Sequence, residues 1–199
     1  MYHEIEIMKT NKFKTSIFLV LVPHKDARGE ICKYSESLYK NGLKGAYSFP
    51  YAAPLASLLK PFSQEELKTT AKYLRETTNG EKFQSRELSH AAFGHPDDNM
   101  LLFGHKLNNN LSLAALTCAE KKIKNQITPA VIGSYLMPKI CEQQLCALTS
   151  LCESSPQPVF SFRAAAVANM FWRTIKKKGE IRYKWKIGKL SWLPKSLQN

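Results

Sequence analysis

TSIFLVLVP, residues 15–23, is the stretch of this 199-residue chain that decides its fold. The run from Ile17 to Val22 is apolar without alternation and rich in β-branched side chains, which is typical of a strand buried on both faces. Basic residues precede it, as in a secretory signal. However, the run is short, and the charged segment PHKDARGE follows it in place of a small-residue cleavage site. We therefore predict a strand in the interior of a sheet.

Helical and extended segments alternate after this strand. DARGEICKYSESLYKNG (26–42) has apolar residues at helical spacing and a glycine stop signal at Gly42. GAYSFPYAAPLASLL (45–59) is extended, and its two prolines predict an edge or bulged strand. Ser63 and Glu66 then form a capping box, which predicts a helix that ends at Gly80.

The second half of the chain continues this alternation. Residues 81–107 divide at the turn HPDDN into two strand-like pieces, which predicts a hairpin. A helix is predicted within residues 108–126, with these side chains facing inward: Leu111, Leu113, Ala114, Leu116 and Ile123. AVIGSYLMPKI (130–140) is extended, and CEQQLCALTSLCESSP (141–156) is helical. Residues 164–175 are compatible with a helix by propensity and with a strand by their flanks.

Positive charge is concentrated at the C-terminal end. The chain has 29 Lys and Arg against 16 Asp and Glu, a net charge of +13, which favours polyanionic partners. Residues 160–199 hold ten of the basic residues and one acid, and so carry +9 of that charge. In GEIRYKWKIGKL (179–190) basic residues alternate with apolar ones, which predicts a β-hairpin strand with one basic face, with KKKG (176–179) as the turn.

These elements predict an α+β fold. We expect one domain over residues 1–199, with two halves at about 13–107 and 108–199, the second including the basic hairpin.

The layout resembles that of a known superfamily. A strand such as IFLVLVP, a helix, a strand beginning SFP and then PFSQEELKTTAKYLR follow in the order found in the 2H phosphoesterases, which include 2′-5′ RNA ligase-like and cyclic phosphodiesterase proteins. The resemblance spans most of the chain. It implies two pseudo-symmetric βαβ-type lobes, with antiparallel sheets around a central cleft and helices outside. Each lobe of the family carries a His-x-Thr/Ser motif on a strand.

Both family motifs are absent from this sequence. None of its five histidines is followed two positions later by Thr or Ser. The expected histidine falls on Tyr51 or Ala52 in the first strand, and on Ala130, Ser134 or Tyr135 in the second. Alanine cannot transfer a proton, and tyrosine, with a pKa near 10, is a poor base at neutral pH. The resemblance therefore implies a protein whose catalytic motifs are degenerate.

Three histidines remain as catalytic candidates, namely His90, His95 and His105. Their neighbours Asp97 and Asp98 suit turn geometry, so we favour a polar hairpin turn over a metal site and predict no metal. The candidate substrate-binding residues are Tyr51, Tyr135, Arg163, Arg182, Lys184 and Lys186. The two tyrosines are suited to base stacking or phosphate contact, although packing at a strand end is the more common role.

The function predicted is therefore binding of RNA or a nucleotide in a basic cleft. Two alternatives stay open. One is an active phosphodiesterase that uses non-standard residues on 2′,3′-cyclic or 2′-5′ phosphodiesters, and the other is a basic scaffold for an acidic protein partner. No cofactor is expected, and no apolar stretch approaches the roughly 20 residues of a membrane span. Five cysteines without a CxxC pair favour a reducing compartment, so we expect a cytoplasmic protein.

Overall fold

The computed structural model describes residues 15–23, 28–29, 31–33, 36, 40, 52–78, 83–85, 88–93, 100–107, 109–128, 131–138, 143, 146–147, 150, 160–162, 165–177 and 180–192. Within these ranges the strands are β1 (Thr15–Pro23), β2 (Ala53–Leu58), β3 (Phe83–Ser85), β4 (Leu88–Phe93), β5 (Met100–Lys106), β6 (Ile123–Gln126), β7 (Val131–Pro138), β8 (Phe160–Phe162), β9 (Ala165–Lys177) and β10 (Glu180–Trp192). The helices are α1 (Gln64–Thr78) and α2 (Asn109–Ala119), and a 3-10 turn, Glu120–Lys122, follows α2. The described residues within 28–40 and 143–150 are also helical, at the two further predicted helices.

Strand β1 lies at the centre of a five-stranded antiparallel sheet. The strand order is β10-β9-β1-β2-β6, so β1 has a neighbour on each side. The side chains from Phe18 to Val22 are at most 1% exposed, although successive residues point to opposite faces. The prediction of a strand buried on both faces is therefore confirmed.

One face of this sheet packs into an apolar cluster. Phe18 pairs with Met170 and Val20 with Ala168, and directly paired residues share a face of the sheet. The buried members of the cluster are Phe18, Val20, Val22, Ala52, Ile127, Ala166, Ala168 and Met170. Trp185, Ile187 and Leu190 of β10 pack against it, so this part of the hairpin belongs to the core, as the alternation predicted.

Helix α1 packs on the opposite face, which carries Leu19 and its partner Asn169. The helix buries Leu67 and Leu74 and contacts β9, β10 and α2. It begins at the predicted capping box: the Ser63 backbone N–H donates to Glu66 Oε2 at 2.6 Å, and the Glu66 N–H donates to Ser63 Oγ at 3.2 Å. These two bonds satisfy backbone donors that the first turn leaves without partners.

Two smaller antiparallel sheets complete the described part of the chain. They are β4-β5-β7, in which β4 and β5 form the predicted hairpin, and β3-β8. Strand β7 also contacts β2 of the large sheet. The large sheet and the β4-β5-β7 sheet both combine strands from either side of residue 107, because β1 pairs with β9 and β5 pairs with β7. Antiparallel sheets with packed helices make this an α+β fold.

Three sequence predictions change at the level of single elements. Residues 164–175 were compatible with a helix or a strand, and strand β9 covers Ala165–Lys177. Helix α2 ends at Ala119, so Ile123 lies in strand β6 and not on the inner face of a helix. Leu113, predicted to face inward, is 59% exposed, whereas Leu111, Ala114 and Leu116 are buried as expected. No helix in the described ranges is long and apolar enough to cross a membrane.

Candidate nucleic-acid interface

The β9–β10 hairpin collects basic residues on one face. Its register pairs Lys184 with Arg173, Arg182 with Ile175, Lys186 with Phe171 and Glu180 with Lys177. Because paired residues share a face and strand residues two apart return to it, one face of the ladder carries all of these positions. The basic face is therefore defined by five cationic residues and one acid: Arg173, Lys177, Arg182, Lys184, Lys186 and Glu180.

The basic face continues the side of the sheet on which α1 packs. At one end of the hairpin, Ser191 and Asn169 are 8% and 5% exposed, on the side of the sheet that packs against the helix. At the middle, Lys186 is exposed. The cationic positions therefore lie next to the surface that the helix covers, on the same side of the sheet.

A β-bulge lies where the covered and basic parts meet. Ile187 pairs with Met170 and Leu190 with Ala168, so Gly188 and Lys189 together oppose the single residue Asn169. Lys189 is exposed. The bulge adds a sixth cation beside the basic face.

Phe171 lies on the basic face next to this bulge and is half-buried. It pairs directly with Lys186 of β10 and with Ile17 of β1. A Cβ atom built on Gly188 would lie 3.2 Å from Phe171 Cε2 and 3.2 Å from the Asn169 backbone oxygen. A side chain at residue 188 would require the ring or the Asn169 backbone to shift by a few tenths of an ångström, because real Cβ contacts are rarely this short.

Half of the predicted substrate-binding residues are positioned by this hairpin. Arg182, Lys184 and Lys186 all belong to β10 and to the basic face. Tyr135 lies in β7, which belongs to the three-stranded sheet and not to the hairpin. Tyr51 and Arg163 lie outside the described residues.

The three-stranded sheet brings two of the candidate histidines and Tyr135 to one face. His90 pairs with Phe103, and Phe103 pairs with Tyr135, so these positions form a row across β4, β5 and β7. His105 pairs with Leu88, which places it on the same face one step diagonally from His90. Diagonal neighbours in such a ladder are about 7 Å apart. His95 lies outside the described residues.

The first of the expected motif strands places Ala52 in the core. Its side chain is fully buried in the cluster that contains Phe18 and Ile127. In the register that assigns the family histidine to residue 52, an imidazole there would have no access to solvent. Ser134 and Tyr135 lie in β7, the second expected motif strand, and Ala130 lies outside the described residues.

A surface depression of about 640 Å³ lies between α1, α2 and the 3-10 turn. Its lining includes three lysines and three glutamates, and its central contact is an ion pair between Lys122 and Glu66. Lys122 Nζ also lies 4.9 Å from the centroid of the Phe62 ring and donates to the Pro61 carbonyl at 3.4 Å. These contacts give Lys122 a structural role.

Two titratable groups in this depression are shifted. The hydrogen bond from Lys122, with that from the Ser63 backbone, lowers the pKa of Glu66 to about 2. Burial raises the pKa of the Cys118 thiol, against the opposing effect of a hydrogen bond with Thr70. The lowered pKa of Glu66 keeps the helix cap charged at neutral pH, and the raised pKa of Cys118 keeps its thiol protonated. Among the side chains that the structure describes, no three His, Cys, Asp or Glu residues group as metal ligands.

Comparisons of this chain with models of protein families, with curated proteins and with solved structures gave no match.

Two cationic residues of the basic face, Arg173 and Lys177, and the aromatic residue Phe171 are absent from the sequence-based set of binding candidates. Arg173 and Lys177 were visible only as part of the net charge, because their face depends on pairing with β10. Phe171 carried no signal at all, since the segment around it was compatible with a helix. A strand assignment for residues 165–177 would have shown Phe171, Arg173 and Lys177 on one face by simple alternation.

Proposed function

We propose that this protein is a 2H phosphoesterase-like protein with degenerate catalytic motifs, and that it binds RNA or a nucleotide through the basic face. The register of β9 and β10 carries the proposal, because it gathers five Lys and Arg residues against one Glu on a single sheet face. Such a density of like charge costs self-repulsion, which a purely structural surface has no need to accept. Phosphate groups of a bound nucleic acid would offset that repulsion, and their neutralisation by Lys and Arg would release the counterions of the nucleic acid.

The two lobes of this proposal follow the sheets and not a division of the chain at residue 107, because both sheets combine strands from either side of that residue. We assign one lobe to the five-stranded sheet and the other to the β4-β5-β7 sheet. Strands β2 and β7, the two expected motif strands, contact each other between these sheets. The full burial of Ala52 in the core supports the absence of catalysis at that position.

The salt dependence of RNA binding tests the role of the basic face. The probe is a fluorescein-labelled, single-stranded RNA of about ten nucleotides, which is titrated with the protein. The titration is repeated at salt concentrations from about 50 to 200 mM, a range over which the affinity of a phosphate-binding protein changes strongly. We expect the triple variant Arg182→Ala/Lys184→Ala/Lys186→Ala to bind more weakly at low salt. The slope of log K against log salt should also fall by about 2, because each single-strand phosphate contact contributes about 0.7.

A charge-matched variant separates specific contact from net charge. Lys33→Ala/Lys68→Ala/Lys124→Ala removes three exposed lysines elsewhere and should leave the slope unchanged. If both triple variants lose the same affinity and the same salt dependence, the basic face is not the binding site. If a mononucleotide displaces the labelled RNA at a concentration similar to that of unlabelled RNA, the ligand is a nucleotide. An affinity that rises with RNA length would identify RNA. Polyglutamate that competes as well as RNA would instead favour an acidic protein partner.

A second candidate function, phosphodiester hydrolysis, is favoured by the shared face of His90 and His105. Histidines at diagonal ladder positions, which are about 7 Å apart, suit a pair that serves one phosphate as general base and general acid. We expect His90→Gln and His105→Gln each to lower kcat for a 2′,3′-cyclic nucleotide by about 10²- to 10⁴-fold. His24→Gln is the matched control. Absence of hydrolysis by the unaltered protein, or retention of activity by both variants, would exclude this function.

A further inference from the structure

The proposed function leaves open whether the basic face binds phosphates alone or also reads an unpaired base. The basic face carries an aromatic ring, Phe171, that is half-buried and therefore partly accessible. It is paired with exposed Lys186 and lies two residues from Arg173 on the same strand face. A ring set among cations is the arrangement by which single-strand binders combine base stacking with backbone contact.

We infer that Phe171 is the stacking platform for an unpaired base, so that the ligand of the basic face is single-stranded RNA. This inference rests on the proposed function. The cations define a path for the phosphates, and the ring lies on that path, next to the bulge that carries exposed Lys189. Every base has a π face, so stacking here requires no particular sequence.

Gly188 leaves the room that this ring occupies. A side chain at residue 188 would approach Phe171 Cε2 and the Asn169 backbone to 3.2 Å, so the glycine lets the ring lie close to the β10 backbone. A ring that packs against neighbouring backbone loses less freedom when a base stacks on it than a fully exposed ring would. A duplex, whose bases are already stacked on each other, offers no free base to Phe171.

The test compares Phe171→Leu with Phe171→Tyr, because both keep a large side chain in β9 and only tyrosine keeps an aromatic ring. Binding is measured with the labelled ten-nucleotide RNA, single-stranded and annealed to its complement. We expect Phe171→Leu to weaken single-strand binding by about 5- to 150-fold. Its salt slope should equal that of the unaltered protein, since no charge is removed. Phe171→Tyr should bind within about twofold of the unaltered protein.

A second readout reports stacking directly. An RNA that carries 2-aminopurine should lose fluorescence on binding the unaltered protein and retain more of it with Phe171→Leu. Tyr73→Leu is the control, because Tyr73 is an exposed aromatic residue on helix α1 and does not belong to the hairpin. Circular dichroism and thermal unfolding establish that each variant is folded.

The outcomes separate this inference from the proposed function. If the unaltered protein binds with a salt slope that the basic-face triple variant lowers, but Phe171→Leu binds equally well, only the stacking inference is overturned. Equal affinity of the unaltered protein for duplex and single strand would also overturn it. If the unaltered protein does not bind RNA with a salt-dependent affinity, both proposals fail.

Discussion

At the residue scale, the side chain of Asn169 joins two segments that are distant in sequence. It lies in the middle of β9, is 5% exposed and makes two hydrogen bonds with the backbone of Phe62, just before α1. The Phe62 N–H donates to Asn169 Oδ1 at 3.0 Å, and Asn169 Nδ2 donates to the Phe62 carbonyl at 2.8 Å. The amide thus gives Phe62 the pair of bonds that a neighbouring strand would provide.

Replacing Asn169 by alanine should destabilise the fold. Both backbone groups of Phe62 would lose their partner at a buried position, which costs about 2–4 kcal/mol in the free energy of unfolding. Urea denaturation measures the change. Asn125→Ala is the control, because the exposed Asn125 side chain lies on edge strand β6 and should alter stability by less than about 0.5 kcal/mol. Similar values for the two variants would show that the Asn169 bonds contribute little.

At the element scale, helix α1 depends on its N-terminal cap. Glu66 accepts from the Ser63 backbone and pairs with Lys122, which connects the start of α1 to the turn after α2. Negative charge in the first turn also interacts favourably with the helix dipole. The Glu66 side chain is 41% exposed, so solvent screens much of the ion pair.

The low pKa of Glu66 predicts an acid-sensitive contribution to stability. Its folded-state value of about 2 lies below the ordinary 4.5, so the contribution is present above pH 4.5 and is lost as the pH falls towards 2. Glu66→Gln should remove this part of the pH dependence and cost about 1 kcal/mol or less at pH 7. Unfolding measured by circular dichroism from pH 7 to pH 2 tests it.

The control for Glu66 lies at the other end of the same helix. Glu76 is exposed and pairs with Lys72 one turn away at 3.9 Å. Glu76→Gln should leave the acid limb of the stability curve close to that of the unaltered protein. If Glu66→Gln and Glu76→Gln show the same pH dependence, the cap does not govern acid stability.

At the scale of the whole molecule, the sheet joins the two ends of the described chain. The β9–β10 hairpin pairs with β1, so the segment with most of the positive charge is fixed to the central strand of the core. One side of the hairpin packs into the apolar cluster through Trp185 and Ile187, and the other side carries the basic face. A surface built on strands that pair with the core suits a binding site, because the backbone that carries its groups is already ordered before the ligand arrives.

Local signals in the sequence predicted several elements of this fold. The uninterrupted apolar run of β1 indicated burial on both faces, the spacing of Ser63 and Glu66 indicated the start of α1, and the alternation in residues 179–190 indicated the strand β10. Each signal depends on residues within a few positions of each other. Burial periodicity and capping are therefore readable without knowledge of the partners.

Tertiary structure decided what depends on distant partners. Helix propensity in residues 165–177 is overridden by pairing with β1 and β10, which buries Ala166 to Met170 completely or nearly so. Strand register, which no local pattern specifies, placed Phe171 and Arg173 beside the lysines of β10, and His90 in a row with Tyr135. The sequence by itself thus determined which segments are strands or helices where periodicity is strong. Long-range pairing decided which side chains share a surface, because register is set by contacts between residues far apart in the chain.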